Sequence, residues 1–392
     1  MATPRAVRSA VRLGMLRLAG SVRRPPALPT DPRSILLIRP DHLGDLILAA
    51  PAVALLRHAF PASRITAWVG PWGEPVWRGS PHLDAIETCS FPGFTRLTKP
   101  NPAAPYFLAL RAASTLRGRF DLAIDLRFDF WWGAMACALA GIPAAGYDVP
   151  ECRPFLAFAV THRPGLHETD QSLRLVGAVA ERFGAPLAAM PGEQLTAALF
   201  PEVRPPESIP QGAIAIHAGA GAEVKLWHDE RWARVADALA AHGPIVLTAG
   251  SPSEVRQAQR IVGLMRSPAG IVSGLSLAEL AATYRHCRLA LGPDNGPLHV
   301  ARAAGTPTVT LFGPTNPAQF GPHPQLPGRN EVVRLPWRCI PCGRLDYNPA
   351  EFTYHLCVKL IEPEQVIAAA RRVLMAHPSR SLPAVSSSSL EE

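Results

Sequence analysis

Leu289-Ala-Leu-Gly-Pro-Asp-Asn-Gly-Pro-Leu-His-Val-Ala-Arg-Ala-Ala304 reads as one strand, one turn and one helix. Residues 289–292 form a short apolar run of the kind buried in a parallel sheet, and a helix-like stretch begins at Pro297. Asp294-Asn-Gly-Pro-Leu-His299 lies between them. A carboxylate, a glycine-containing turn and the free amides of a helix N-terminus, set at a strand end, make a receptor suited to a sugar bearing a diphosphate. Asp294, Asn295, Gly296, Pro297, Leu298 and His299 are therefore candidate ligand-binding residues. Packing alone explains Asp294 poorly, whereas His299 equally suits a capping or packing role.

The same rhythm extends outward on both sides. Strand-like runs at 213–216, 245–248, 270–272 and 308–312 alternate with helical stretches from Asp229, after Pro252, and from a capping box at Ser276 and Glu279. Alternation of this kind specifies a parallel sheet, whose ligands lie outside the carboxyl ends of the strands. His217-Ala-Gly-Ala-Gly221 leaves the first of these strands and leads to Lys225. There His217, Gly219 and Gly221 let backbone amides approach a phosphate, and Lys225 offers a point charge to a leaving diphosphate; a solvated lysine is the plain alternative. Val224 stands where a dinucleotide fingerprint has its third glycine, and the run is not a P-loop. Gly250, Ser251 and Glu254 close the next strand, where they could hydrogen-bond a ribose or merely serve the turn.

The first half repeats the pattern. Strand 34–38 enters the polar turn Arg39-Pro-Asp-His42, and a helix from Leu43 carries Pro51, which should bend it. Strands at 64–69 and 122–125 and a helical stretch at 106–116 follow. These runs define a first doubly wound domain over 34–185, a proline-rich linker over 186–211 and a second domain over 212–378. Asp45, at the start of the first helix, is placed to take a proton from a hydroxyl nucleophile, or else is a helix-start aspartate held by the macrodipole. Asp125 and Arg127, at another strand end, either face a second substrate or form an internal ion pair. The aromatic residues Phe128, Phe130, Trp131 and Trp132 read as core or domain interface, with a sugar-stacking platform as the minor alternative.

The chain has 392 residues, an apolar fraction of 48 % and a net charge of +8, which is ample for two cores and favours anionic partners without being a nucleic-acid signature. Residues 1–33 hold seven arginines and no acid before Asp31, a basic tail that is either solvated or able to rest on an anionic membrane face. No stretch approaches the ~18 apolar residues of a spanning helix, and no secretory h-region is present, so a cytoplasmic location is expected. The serine-rich stretch 379–392 reads as disordered. Of the seven cysteines, Cys89, Cys137, Cys152 and Cys287 read as small core residues. Cys339-Ile-Pro-Cys342 with Cys357, and His355 as a fourth group, approaches a zinc ligand set but reads more readily as free thiols or a local disulfide.

Taken in order, Ile35-Leu-Leu-Ile-Arg-Pro-Asp-His-Leu-Gly-Asp45, Phe120-Asp-Leu-Ala-Ile-Asp125, His217-Ala-Gly-Ala-Gly221 with Lys225 and Trp227, Gly292-Pro-Asp-Asn-Gly-Pro-Leu-His299 and Thr308-Val-Thr-Leu-Phe-Gly-Pro-Thr-Asn-Pro317 resemble the motifs of glycosyltransferase family nine, the heptosyltransferase-like enzymes of lipopolysaccharide core synthesis. The resemblance covers about residues 34–370. It implies an α/β GT-B architecture, two facing Rossmann-like doubly wound parallel-sheet domains with the donor on the second and the acceptor on the first. The implied reaction is inverting transfer from a nucleotide sugar, typically ADP-heptose, to a glycan or lipid-linked acceptor without metal or cofactor. Carried over by position, Asp45 matches the general base, Lys225 the phosphate-binding lysine, Asp294 the acid of the donor pocket, and 296–299 the loop meeting the diphosphate. Asn295 departs from the serine or threonine frequent there. A silent nucleotide-sugar-binding module and a nucleotide-sugar epimerase are the alternatives; a Rossmann oxidoreductase lacks its fingerprint.

Overall fold

The computed structural model describes residues 4–22, 24–94, 103–185, 199–324, 330–347, 349–351 and 354–376. Much of the expected linker, part of the proline-rich stretch 92–105 and the serine-rich tail 379–392 lie outside the described residues. The chain divides into two compact units, Met1–Glu202 with Asn316–Leu326, and Val203–Thr315 with Pro327–Glu392.

Unit 1 contains β1 (Ser34–Arg39), β2 (Arg64–Val69), β3 (Ala85–Thr88), β4 (Leu122–Asp125), β5 (Ala144–Tyr147) and β6 (Phe158–Val160). They form one sheet in the order β3-β2-β1-β4-β5-β6, with every neighbouring pair parallel. Ile35, Leu36, Leu37 and Ile38 of β1 are all fully buried, as an apolar run between two helical layers should be. Each such side chain contributes roughly 1.5–3 kcal/mol by leaving water. The helices are α1 (Pro4–Val22), α2 (Leu43–Ala59), α3 (Glu74–Trp77), α4 (Ala104–Leu116), α5 (Trp131–Ala140) and α6 (Glu168–Arg182). Pro51 is buried inside α2, and the helix runs on past it to Ala59. The aromatic run belongs chiefly to the core, with Phe130 and Trp132 buried and Trp132 packed against Trp68 and Phe91.

The basic N-terminal stretch holds α1, whose Leu16 is buried in the same core as Cys152 and Phe155. A Cβ added at Gly20 would stand 2.4 Å from the Pro154 side chain, so glycine permits this close docking. Met15 and Leu18 on α1 remain exposed, at 52 % and 68 %. No described helix is long and apolar enough to cross a membrane.

Unit 2 repeats the topology with β7 (Ala213–Ile216), β8 (Ile245–Ala249), β9 (Ala269–Ser273), β10 (Cys287–Pro293), β11 (Thr308–Leu311) and β12 (Glu331–Val333) in the order β12-β11-β10-β7-β8-β9. Its helices are α7 (Asp229–Leu239), α8 (Pro252–Leu264), α9 (Leu277–His286), α10 (Gly296–Ala303), α11 (Pro317–Phe320, in the segment counted with unit 1) and α12 (Pro363–Ala376). Each sheet therefore runs outward in both directions from a central pair, β1 with β4 and β7 with β10. Connections leave that pair toward opposite edges, which opens a crevice at the carboxyl ends where doubly wound sheets bind ligands. In unit 1 the crevice is edged by the segments after Arg39 and Asp125, in unit 2 by those after Ile216 and Pro293.

Candidate active site

The crevice of unit 1 is built around charge. Arg39 ends β1 and is 1 % exposed, an unusual fate for a guanidinium unless it is well paired. Its Nε lies 2.8 Å from Asp41 Oδ2, its Nη1 donates to the Leu126 carbonyl at 2.6 Å, and its Nη2 donates to Glu168 Oε2 at 3.1 Å. The same Nη2 stands 3.9 Å from Asp45 Oδ1. Arg127 pairs with Asp41 and with Asp129, and its guanidinium lies over the rings of Phe94 and Phe128.

Asp45 sits in the first turn of α2 with its side chain 29 % exposed. Burial and the neighbouring Asp41 raise its carboxyl to about 7, against the opposing pull of Arg39 and Arg127, while Glu168 adds to the rise. Asp41 moves the other way: burial would raise it, but Arg39 and Arg127 together hold it below the ordinary range. A carboxyl that exchanges its proton near neutrality, at the mouth of a crevice, can act as a general base.

For Asp125 and Arg127 the contacts in this crevice are internal. Asp125 is 3 % exposed, its Oδ1 accepts from the Arg127 amide at 3.1 Å, and its Oδ2 has no hydrogen-bond partner among the described residues. Burial raises it well above the usual carboxylate range. Arg127 is held in internal ion pairs with Asp41 and Asp129, the alternative left open by the sequence.

In unit 2, Asp294 follows β10 and is 5 % exposed. Its Oδ2 accepts from Lys225 Nζ at 2.7 Å and from Thr315 Oγ1 at 2.7 Å, while its Oδ1 is 3.7 Å from His299 Nε2. Lys225 Nζ also donates to the Asp294 carbonyl at 3.2 Å. Burial would raise the Asp294 carboxyl, yet His299 and Lys225 hold it well below the ordinary range. Burial, with Arg302 nearby, lowers His299 to about 4, so this histidine is neutral at physiological pH. Lys225 is thus fixed in place by an ionised acid, with its side chain 13 % exposed.

The amides of α10 are less available than the sequence suggested. Asn295 caps the helix by accepting from the Leu298 amide at 2.9 Å, and Pro297 has no N–H to offer. The Asn295 Nδ2 donates to the Gly219 carbonyl at 2.7 Å, so both ends of its amide tie α10 to the segment after β7. The Leu298 side chain is fully buried and presses toward Gly292, where a Cβ would meet it at 2.5 Å. Asn295 and Leu298 therefore shape the site from within, with their polar groups satisfied by the protein.

Gly219 faces Glu254, whose Oε1 would lie 2.5 Å from an added Cβ, whereas nothing lies within 4 Å of a Cβ at Gly221. Glu254 belongs to the capping box of α8: its Oε2 accepts from the amides of Gly250 and Ser251, and Ser251 caps the helix in return. His217, with Nε2 at 3.6 Å from Oε1, and those amides hold the Glu254 carboxyl down to about 2. On its other side His217 shares a hydrogen bond with the Thr248 hydroxyl, which shares another with Tyr284. Glu254 Oε1 lies between His217 and Gly219.

Among the described residues, one set of side chains has metal-ligand spacing: His167, Asp170 and His323, all in unit 1. His167 Nδ1 accepts from the Thr169 amide at the cap of α6, which makes Nε2 the donor to the Gly321 carbonyl at 3.1 Å. Both ring nitrogens are thereby engaged, and His323 Nε2 lies 3.1 Å from Asp170 Oδ1. Cys339 and Cys342 are exposed and Cys357 is buried; all seven cysteines are free.

Several contributors were not singled out from the sequence. Arg39 and Asp41 read in the sequence as a polar turn, although an arginine ending an otherwise apolar strand is a signal of buried pairing. Glu168 and Thr315 carried none, since their partners lie far away in the chain.

A family model described as glycosyltransferase family 9 (heptosyltransferase) matches residues 109–344. Lipopolysaccharide heptosyltransferase 1 of Pseudomonas aeruginosa is 25 % identical, over 87 % of this chain and 98 % of that protein. Among solved structures, the glycosyl transferase family 9 protein of Veillonella parvula aligns with a TM-score of 0.65 and 22 % identity, covering 89 % of this chain and 99 % of its own. The Escherichia coli ADP-heptose lps heptosyltransferase II aligns with a TM-score of 0.62 and 19 % identity, covering 88 % and 100 %. These structural likenesses bear on the fold, which is the two-domain α/β fold of the GT-B class. With the family model spanning more than half of the 392 residues, the chain belongs to glycosyltransferase family 9 and is a glycosyltransferase.

Proposed function

We propose that this enzyme transfers a heptose from ADP-heptose to a hydroxyl of the lipopolysaccharide core, by a single displacement that inverts the anomeric configuration and uses no metal. The observation carrying the reading is Asp45: an acid raised to about 7, at the crevice of one doubly wound unit, suits removal of a proton from an attacking hydroxyl. Family membership and the names of its relatives support the sugar and the acceptor class. As the acceptor oxygen attacks, the bond from the anomeric carbon to the diphosphate breaks and negative charge passes to the leaving ADP. Lys225, oriented by Asp294 and Thr315, would meet that charge, with the Gly296 amide and the open approach at Gly221 beside it. A preorganised donor of this kind contributes on the order of 3 kcal/mol in a water-excluded site. Glu254 Oε1 would accept from a ribose hydroxyl.

Calorimetry with ADP-heptose, ADP-glucose, UDP-N-acetylglucosamine and ADP tests the donor. Selective ADP-heptose binding that weakens in Lys225→Ala and Asp294→Ala supports the reading; binding of none, or binding indifferent to both changes, defeats it. The acceptor hydroxyl would be met at the cytoplasmic membrane face. There α1, with Arg12 and Arg17 flanking exposed Met15 and Leu18, would rest on anionic lipid. Sedimentation with phosphatidylglycerol vesicles, compared with phosphatidylcholine alone, tests that contact; equal partition would remove it.

A further inference from the structure

The charge around Asp45 is unevenly shared. One guanidinium, Arg39, serves three carboxylates, and its distances rank them: Asp41 at 2.8 Å, Glu168 at 3.1 Å and Asp45 at 3.9 Å. Asp41 also has Arg127, so its demand on Arg39 is partly met elsewhere. Among the described residues Arg39 is the one arginine or lysine paired with Glu168, which is 8 % exposed, so water screens its charge little. It opens α6, the helix most extensively packed against α2, and so reaches across to the end of β1.

We propose that Glu168 is a positioning residue for the transfer reaction: by holding the Arg39 guanidinium toward itself, it withholds that cation from Asp45 and keeps the Asp45 carboxyl ready to accept a proton. The inference rests on the reading of Asp45 as the base. A carboxylate fully paired with arginine would be a weak base; one with no cation nearby would stay protonated. Sharing Arg39 between two acids sets Asp45 between those limits. The other charged groups acting on it are Asp41 from the β1–α2 turn and Arg127 after β4, with His42 beside Asp41 and with Asp125 and Asp129 beside Arg127. Of these, Asp41 and Arg127 are tied to each other, Asp125 accepts from the Arg127 amide, and Asp129 is tied to Arg127. Tyr147, on β5, is spent on the Gln171 carbonyl. Glu168 is the group whose removal changes the hold on Arg39 without breaking the Arg127–Asp41 pair.

The test is direct titration of Asp45 in the full-length protein, with aspartate labelled at its side-chain carboxyl and the resonance identified by its loss in Asp45→Asn. The wild-type midpoint is expected near about 7. Glu168→Gln should lower it by about one pH unit, as Arg39 turns toward Asp45. Glu168→Asp, which keeps the charge but retracts it, should lower it by less and in the same direction, and covers the case in which the glutamine variant does not fold. An unchanged or raised midpoint in the folded variant overturns the inference. The two readings fail separately: full transfer from ADP-heptose by Asp45→Asn would remove Asp45 as base while leaving the titration result standing.

Discussion

Units 1 and 2 repeat one strand order, and each carries an aspartate beside its central crevice, yet the two acids are driven in opposite directions. Asp45 is surrounded by other carboxylates that share too few cations, and its carboxyl rises to about 7. Asp294 has an ammonium, a hydroxyl and an imidazole around it, and its carboxyl falls. Topology therefore specifies where a polar group will meet a ligand, while neighbours far away in sequence decide what that group can do. One crevice holds a raised carboxyl, the other a fixed charge that orients a lysine.

The sharpest way to break this comparison is to remove each acid in turn. Asp45→Asn should lower heptose transfer by a hundred- to ten-thousand-fold, roughly the value of a general base, with ADP-heptose affinity measured by calorimetry unchanged. Asp294→Ala should instead strand a largely buried Lys225. Urea unfolding should show a loss of about 3 kcal/mol at neutral pH. Because the folded Asp294 is depressed, its contribution is present above the ordinary carboxylate range and disappears as pH falls through and below it, so the two unfolding curves should converge in acid.

The sign reverses for Asp45. The unfolded chain ionises it near pH ~4 and the folded protein near about 7, so keeping it costs stability progressively between those values and fully above them. Asp45→Asn should therefore stabilise the protein by about 1 kcal/mol at alkaline pH, allowing for the carboxyl's partial exposure, and should be neutral below pH ~4. Two stability–pH curves of the same slope would end the contrast. The smallest effect belongs to Asn295→Ala, which loses the α10 cap and the tie to Gly219: about 1 kcal/mol of stability or less, read as a lowered melting temperature, with a modest weakening of ADP binding.

The apolar runs made most of the parallel sheets legible, since buried strands such as 35–38 and 213–216 have no other reading at that length. Short strands with ordinary composition, such as β3 with its half-buried Ala85 and Ile86, carried no such mark. The candidate site was legible where its residues sit on turns beside those runs, as at Asp45, His217 and Asp294. The direction of a side chain was not. Asp125 and Arg127 occupy a strand end just as Asp45 follows one, but Asp125 turns inward beside Gly133 and Arg127 folds onto Asp41. The pairs that tune the site, Arg39 with Glu168 and Asp294 with Thr315, join residues 129 and 21 positions apart, a link that neither spacing nor periodicity encodes.

The path of the chain has a practical consequence for anyone recombining such enzymes. Asn316–Leu326 belongs with unit 1 although it follows Thr315 of unit 2, and Pro327 returns to unit 2. A gene cut once after Glu202 would yield a first half whose His167 lacks the Gly321 carbonyl and whose Asp170 lacks His323. Chimeras that exchange unit 1 between relatives need three seams, so that this short strap travels with the body it fastens to and arrives from the same parent.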